Sequence, residues 1–279
     1  MMSATRISLP GDGITLVADA YGDPTAPPVC FFHGGGQSRR SWAGSARRVA
    51  QAGYYGLTFD LRGHGDSDWA SDGDYLLEAY GRDVEAILMA LYRPVALVGA
   101  SRGGQCALVG GSRHPDRVRL IMLADVAPHI DDAGVEEIRG FFRASKAGFA
   151  SLDEAADALH RHLGQPRVAD VSGLAKAMRT DGERLFWHWD PRTTSQEFLH
   201  PPSEGEALVA AAMRVTTPVV LVKAELSEIV SDESVRQFQA LTPQLEVEVA
   251  HGVGHMFTGD HNDAFAERLL RHLTTYLPL

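Results

Sequence analysis

The sequence predicts an α/β fold, a mostly parallel sheet with helices on both faces and a helical insertion interrupting it. Three observations carry that reading. Strand-like and helix-like stretches alternate at both ends of the chain, and Pro94–Ala100 is an almost wholly apolar run of the kind buried on both sheet faces. Between about His129 and Arg214 helix-forming stretches replace that alternation.

The elements follow in order. Thr5–Leu9 and Ile14–Ala20 flank Gly11-Asp12-Gly13 and read as a hairpin that adds an antiparallel edge. Val29–Phe32 is a short apolar strand ending at His33-Gly34-Gly35-Gly36, and Ser41–Ala52 has helical spacing that stops at Gly53. Tyr55–Asp60 is strand-like and ends at Arg62-Gly63-His64-Gly65. Within Asp74–Tyr92, Leu77, Tyr80, Val84, Ile87, Leu88 and Leu91 share one helical face. Pro94–Ala100 comes next, then a helix from Arg102 and the strand Val118–Leu123. After the insertion come Pro218–Val222, a helix near Ser231–Leu241, the strand Leu245–Ala250 and a last helix at Asp263–Leu277. The insertion holds helix candidates at Val135–Ala144, Leu152–Leu163 and Val171–Met178, and is rich in aromatic residues. The expected division is a core of residues 1–128 and 214–279 with a helical cap at 129–213, above the carboxyl ends of the strands where open α/β sheets bind ligands.

Composition narrows the function. With 279 residues, 44% hydrophobic, the chain is long enough to bury a sizeable core. A net charge of −10 without a basic run argues against nucleic acid, and no apolar run reaches the roughly 18 residues of a membrane span. Cys30 and Cys106 cannot make a disulfide framework or a four-ligand zinc site, and both sit in apolar stretches, so they are expected reduced and buried. The N-terminus lacks a signal-peptide pattern, and a cytoplasmic location is expected, with monomer or homodimer left open.

The chemistry concentrates at strand ends. Gly99-Ala100-Ser101-Arg102-Gly103 matches a pattern that average usage gives in roughly 0.1 of chains this long. Its context raises it. A strand ends at Ala100 and a helix begins just after Ser101, so the serine sits on a sharp turn beside a positive helix end. Serine needs a base, and among twelve histidines His255, in Gly252-Val253-Gly254-His255-Met256 after the last strand, is the best placed. The glycines after His33 let backbone N–H groups approach a ligand, so this loop can supply one oxyanion donor and the N–H of Arg102 the other. No phosphate-binding or dinucleotide fingerprint is present, and no metal or cofactor is expected.

These motifs, in this order and with Asp60-Leu61-Arg62-Gly63-His64-Gly65-Asp66-Ser67 between them, resemble the α/β-hydrolase fold family over nearly the whole chain. Within it the sequence is similar to small bacterial capped hydrolases, a group with carboxylesterases, C–C bond hydrolases, epoxide hydrolases and cofactor-free haloperoxidases. Its serine sets it with the serine hydrolases among them, since epoxide hydrolases need an Asp nucleophile. The resemblance implies Ser101 as nucleophile, His255 as base, Gly35 and Arg102 at the oxyanion hole, and structural roles for Asp60 and His64. It also implies a small-molecule ester as substrate.

The third member of the triad departs from the family pattern. Where relatives carry the acid, this chain has Ser227, and Ala224 replaces the usual glycine. Asp125, after the preceding strand, and Glu228, one place beyond Ser227, are the candidates, with Asp125 favoured and Glu225 last. A branch of the family with a serine at the usual position takes its acid from the earlier strand. Phe141, Phe142 and Trp187 are expected around a compact pocket, with Ala147 and Gly148 leaving room for a bulky acid; the same rings serve equally as the cap's own core. Perhydrolysis, C–C bond hydrolysis and ligand binding without catalysis are the alternatives on the same scaffold.

Overall fold

The structure, a computed structural model, describes residues 3–129, 140–163, 170–194, 202–254 and 262–279. An eight-stranded sheet in the order β1-β2-β4-β3-β5-β6-β9-β10 runs through the molecule. Its strands are β1 (Thr5–Pro10), β2 (Thr15–Tyr21), β3 (Pro28–Phe32), β4 (Tyr55–Phe59), β5 (Val95–Ala100), β6 (Val118–Ala124), β9 (Val219–Ala224) and β10 (Leu245–Ala250). The first two make the expected antiparallel edge, and every pairing from β4 to β10 is parallel.

Alternation along each strand divides the core. Cys30, Phe32, Leu97 and Leu123 face α2 (Leu77–Leu91), α3 (Arg102–Gly111), α5 (Pro202–Arg214) and α6 (Asp232–Leu241). Val29, Phe31, Ala96 and Val98 face α1 (Ala43–Gln51) and α7 (Asn262–Tyr276). Each face needs its own apolar set, which is why β3 and β5 are buried at every position. Trp42 closes the second face, 5.6 Å from the Phe31 ring and 5.0 Å from Phe265. Its Nε1 donates to Phe32 O at 3.0 Å and so fixes the end of β3, where the site begins. Cys30 and Cys106 are free and buried.

The insertion follows β6, the sixth strand. Among the described residues it holds a helical stretch at 140–145, α4 (Leu152–Leu163), and a hairpin of β7 (Met178–Asp181) and β8 (Arg184–Trp187). Two expectations are corrected here. Val171–Met178 is not an α-helix but a 3₁₀ stretch, Ser172–Ala177, running into β7, so the cap is not all-helical. Helix α5 packs on the core: Leu208, Ala211 and Ala212 join the same cluster as α2 and α3, so by packing the cap ends before Pro202 rather than at 213. The helix proposed at Val135–Ala144 lies mostly outside the described residues. No helix among the described residues is long and apolar enough to cross a membrane.

Candidate active site

The parallel strands bring Phe32, Phe59, Ala100, Ala124, Ala224 and Ala250 to one edge, and the residues that follow them build the site. Ser101 has φ 47° and ψ −121°, a left-handed conformation that costs a residue with a Cβ on the order of 1–3 kcal/mol. Its surroundings impose it. A Cβ on Gly99 would overlap the Gly103 backbone, and one on Gly103 would overlap the carbonyls of Phe32 and His33, so strand and helix meet closer than side chains allow. Ser101 stays half-buried, while its carbonyl accepts from Gln105 N at 3.0 Å and starts α3.

The loop after β3 lies against this turn. A Cβ on Gly34 would stand 3.5 Å from Ser101 Cβ. Leu61 N donates to His33 Nε2 at 3.1 Å, so the proton of this ring is on Nδ1, which donates to Gly34 O at 2.7 Å. Burial pushes the His33 pKa down to about 3, which keeps the ring neutral. Gly34 N donates to Gln37 Oε1 at 3.0 Å, and Gly36 N donates to His64 Nε2 at 3.2 Å. Gln37 N closes the turn onto Gly34 O at 3.1 Å, with Gly36 at φ 73° where a type II turn requires it. The Gly35 N–H, between two committed donors, bonds to no group among the described residues.

Arg102 opens α3, placing its backbone N–H in the first helical turn, where N–H groups point out of the helix end. Its side chain turns away: Nη1 donates to Glu204 Oε2 at 2.8 Å and the guanidinium lies over the Tyr80 ring. Burial opposes the Arg102 charge, but Glu204, Tyr80 and Cys106 together outweigh it and the pKa is raised. Glu204 Oε1 accepts from Leu77 N at 2.9 Å, so one carboxylate joins the elbow helix to the starts of α2 and α5. Sequence reasoning missed Glu204, because a lone acid at the start of a helix carries no distinguishing signal.

The candidate acids separate clearly. Asp125 is fully buried just past β6, with φ 50°. Its Oδ1 accepts from Ala224 N at 2.9 Å and its Oδ2 from Ser227 Oγ at 2.6 Å. Ser227 Oγ accepts in turn from Ile229 N and Val230 N, at 3.2 and 2.9 Å. Glu228 is exposed. Glu225 is exposed too, accepting from Gly252 N at 2.8 Å and pairing with His251 at 3.2 Å; those two contacts, the first above all, lower its pKa. His255 lies outside the described residues.

In the cap, Phe141, Phe142, Phe149, Trp187 and Trp189 pack into one cluster. Trp187 stacks on Trp189 at 5.3 Å and donates from Nε1 to Ser145 Oγ at 3.1 Å. Of these rings, Phe142 and Trp189 come 3.1 and 3.3 Å from where a Cβ on Gly36 would stand, against the Gly34–Gly36 loop. Ala147 and Gly148 lie against β8. Their carbonyls accept from Arg184 at 2.7 and 2.6 Å, and the place of a Gly148 Cβ is already filled by the Phe186 ring, 2.7 Å away. The cap's exit docks on the Gly63–Gly65 turn through His188 and Asp190, which sequence reasoning did not single out. Among the described residues no group of three or more His, Cys, Asp or Glu could hold a metal ion.

A serine on a strained strand-to-helix turn, a glycine loop beside it and a buried aspartate one strand over make the arrangement of an α/β-hydrolase fold. Residues 27–261 match the alpha/beta hydrolase fold family, and the chain belongs to it. It is 29% identical over 254 residues to an esterase of Mycobacterium tuberculosis, covering 87% of this chain and 81% of that one. It is 26% identical over 259 residues to a 2-(acetamidomethylene)succinate hydrolase of Mesorhizobium japonicum, covering 91% and 88%. A crystal structure of an E-2-(acetamidomethylene)succinate hydrolase superposes with a TM-score of 0.82 at 24% identity, covering 99% of this chain and all of that one.

Proposed function

We propose that this α/β hydrolase cleaves carboxylic esters through an acyl-enzyme on Ser101. His255 takes the serine proton as the hydroxyl attacks the ester carbonyl, and returns it to the departing alcohol. Asp125 orients the imidazole and stabilises its cation. The N–H groups of Gly35 and Arg102 hold the tetrahedral oxyanion, and a water activated by His255 then releases the acid. The observation that carries this reading is the strained Ser101 turn with the Gly34–Gly36 loop seated against it and the Gly35 N–H uncommitted. The esterase among its relatives supports the choice of ester.

The test is hydrolysis of p-nitrophenyl esters from acetate to decanoate, with Ser101→Ala alongside. Ser101→Ala should lower kcat by at least ~10³-fold. Alanine carries the same Cβ on the same backbone, so Tm should hardly move. Residual turnover near wild type removes Ser101 from the mechanism. Labelling of Ser101 by a phosphonate without turnover of any ester would assign the activated serine to another bond.

A further inference from the structure

The cap grips the turn Gly63-His64-Gly65 from both sides. Asp190 N donates to Gly63 O at 2.7 Å, and Gly65 N donates to His188 Nδ1 at 2.6 Å. Asp190 is itself held, its Oδ2 accepting from Tyr75 Oη at 2.6 Å and from the Arg192 guanidinium. Between the two gripped glycines stands His64, which points the other way. Its Nε2 accepts from Gly36 N, so its proton is on Nδ1, which donates to Arg62 O at 3.0 Å. Burial keeps the pKa of His64 well below the ordinary histidine value, so the acceptor at Nε2 persists at neutral pH. The rings form a column from loop to cap, His33 to His64 at 5.1 Å, His64 to His188 at 6.2 Å and His188 to Trp189 at 5.7 Å. Trp189 closes the circuit by packing on Gly36.

The consequence concerns one peptide. The peptide that carries the Gly35 N–H is held at its own carbonyl, Gly34 O, by His33 Nδ1 and Gln37 N. The peptides on either side are held by Gln37 at Gly34 N and by His64 at Gly36 N, so His64 limits the rotation of the Gly35 N–H from the far side of Gly35. We propose that His64 is a positioning residue for the oxyanion hole, and that His188 and Asp190 of the cap hold it there, so that the seating of the cap sets kcat. This rests on the acyl-enzyme reading of Ser101. His64 touches no substrate; it acts through the Gly35–Gly36 peptide.

Two isosteric substitutions separate this role from a scaffold role. Glutamine places its carbonyl oxygen near Nε2 and keeps an acceptor for Gly36 N. Asparagine places its amide near Nδ1, keeping the bond to Arg62 O and losing the loop. His64→Asn should lower kcat ~10- to 100-fold with KM little changed, the range expected when an oxyanion donor drifts from its position, and His64→Gln should recover most of the loss. At the cap, His188→Phe keeps a ring but offers Gly65 N no acceptor, whereas His188→Asn supplies one. The first should lower kcat ~10-fold at constant KM and the second should restore it. Melting curves for all four establish that they fold, and the half-buried 188 pair decides the matter if the buried 64 pair does not fold. Equal kcat for the two variants at 64, or an unchanged kcat in His188→Phe, overturns the proposal. Wild-type protein that turns over no ester through Ser101 overturns the acyl-enzyme reading itself, and the proposal with it.

Discussion

Asp125→Asn is the most informative single substitution, because its effects on stability and on catalysis can be worked out separately. Asparagine tolerates the left-handed φ of 50°, so the backbone does not confound the result. Its Oδ1 still accepts from Ala224 N. The new amide then meets Ser227 Oγ, a hydroxyl whose two lone pairs already serve Ile229 N and Val230 N. One of three donors is displaced in a buried site, which costs about 1–3 kcal/mol of stability. The catalytic loss is larger: a neutral amide neither stabilises the imidazolium nor selects its tautomer, and kcat should fall by ~10³–10⁴. Glu228→Gln changes an exposed side chain and should leave both quantities nearly unchanged. The assay is p-nitrophenyl ester turnover at saturating substrate, with urea unfolding on the same preparations. If Glu228→Gln costs more kcat than Asp125→Asn, Asp125 is not the acid and its bonds to Ala224 and Ser227 serve the fold alone.

The histidine column should make the protein acid-labile. Burial lowers the pKa of His33 to about 3 from 6.5, and lowers those of His64 and His188, so the unfolded chain binds protons that the folded chain refuses. The stability His33 contributes is full above pH 6.5 and is lost as pH falls from there towards about 3, at up to ~1.4 kcal/mol per pH unit, and His64 and His188 add losses of the same sign below pH 6.5. Tm should therefore drop between pH 7 and pH 5, and a flat profile there would refute it. Gly65→Ala drives a Cβ at φ 56° into the Asp60 carboxylate, which already serves Arg39 N and Asp66 N, and should cost roughly 3 kcal/mol or more. Gly205→Ala, inside α5 with no described residue within 4 Å of the new Cβ, should instead gain about 0.5–1 kcal/mol, and thermal unfolding of the pair tests both signs.

The strands and helices of the core were legible because each carries its own signal. An all-apolar run gives β5, and a stripe at helical spacing gives α2. The hairpin β7–β8 carries none. Its strands have four residues each, too few for an alternation to show, and they hold through Phe186 and Trp187 packing on other parts of the cap. The boundary at α5 failed for a related reason: Leu208, Ala211 and Ala212 announce an apolar face but not what covers it.

The site divides the same way. A serine between two glycines at a strand end requires its backbone geometry locally, so Ser101 could be read from five consecutive residues. The acid could be narrowed but not chosen, since Asp125, Glu228 and Glu225 are alike as letters and differ only in burial and in what donates to them. The partner of Asp125 at 227 lies 102 residues away. Gly65 and His188 stand 123 residues apart, and Gly36 and His64 stand 28 apart. From its motif alone His64 reads as scaffold, and its hydrogen bonds to Gly36 N and Arg62 O are scaffold bonds. What changes its meaning is the partner: the backbone N–H it accepts from is next to the one the oxyanion needs. If the variants at 64 and 188 behave as proposed, a residue structural in every contact governs the rate, a role legible only once the fold puts His64 between the cap and Gly36.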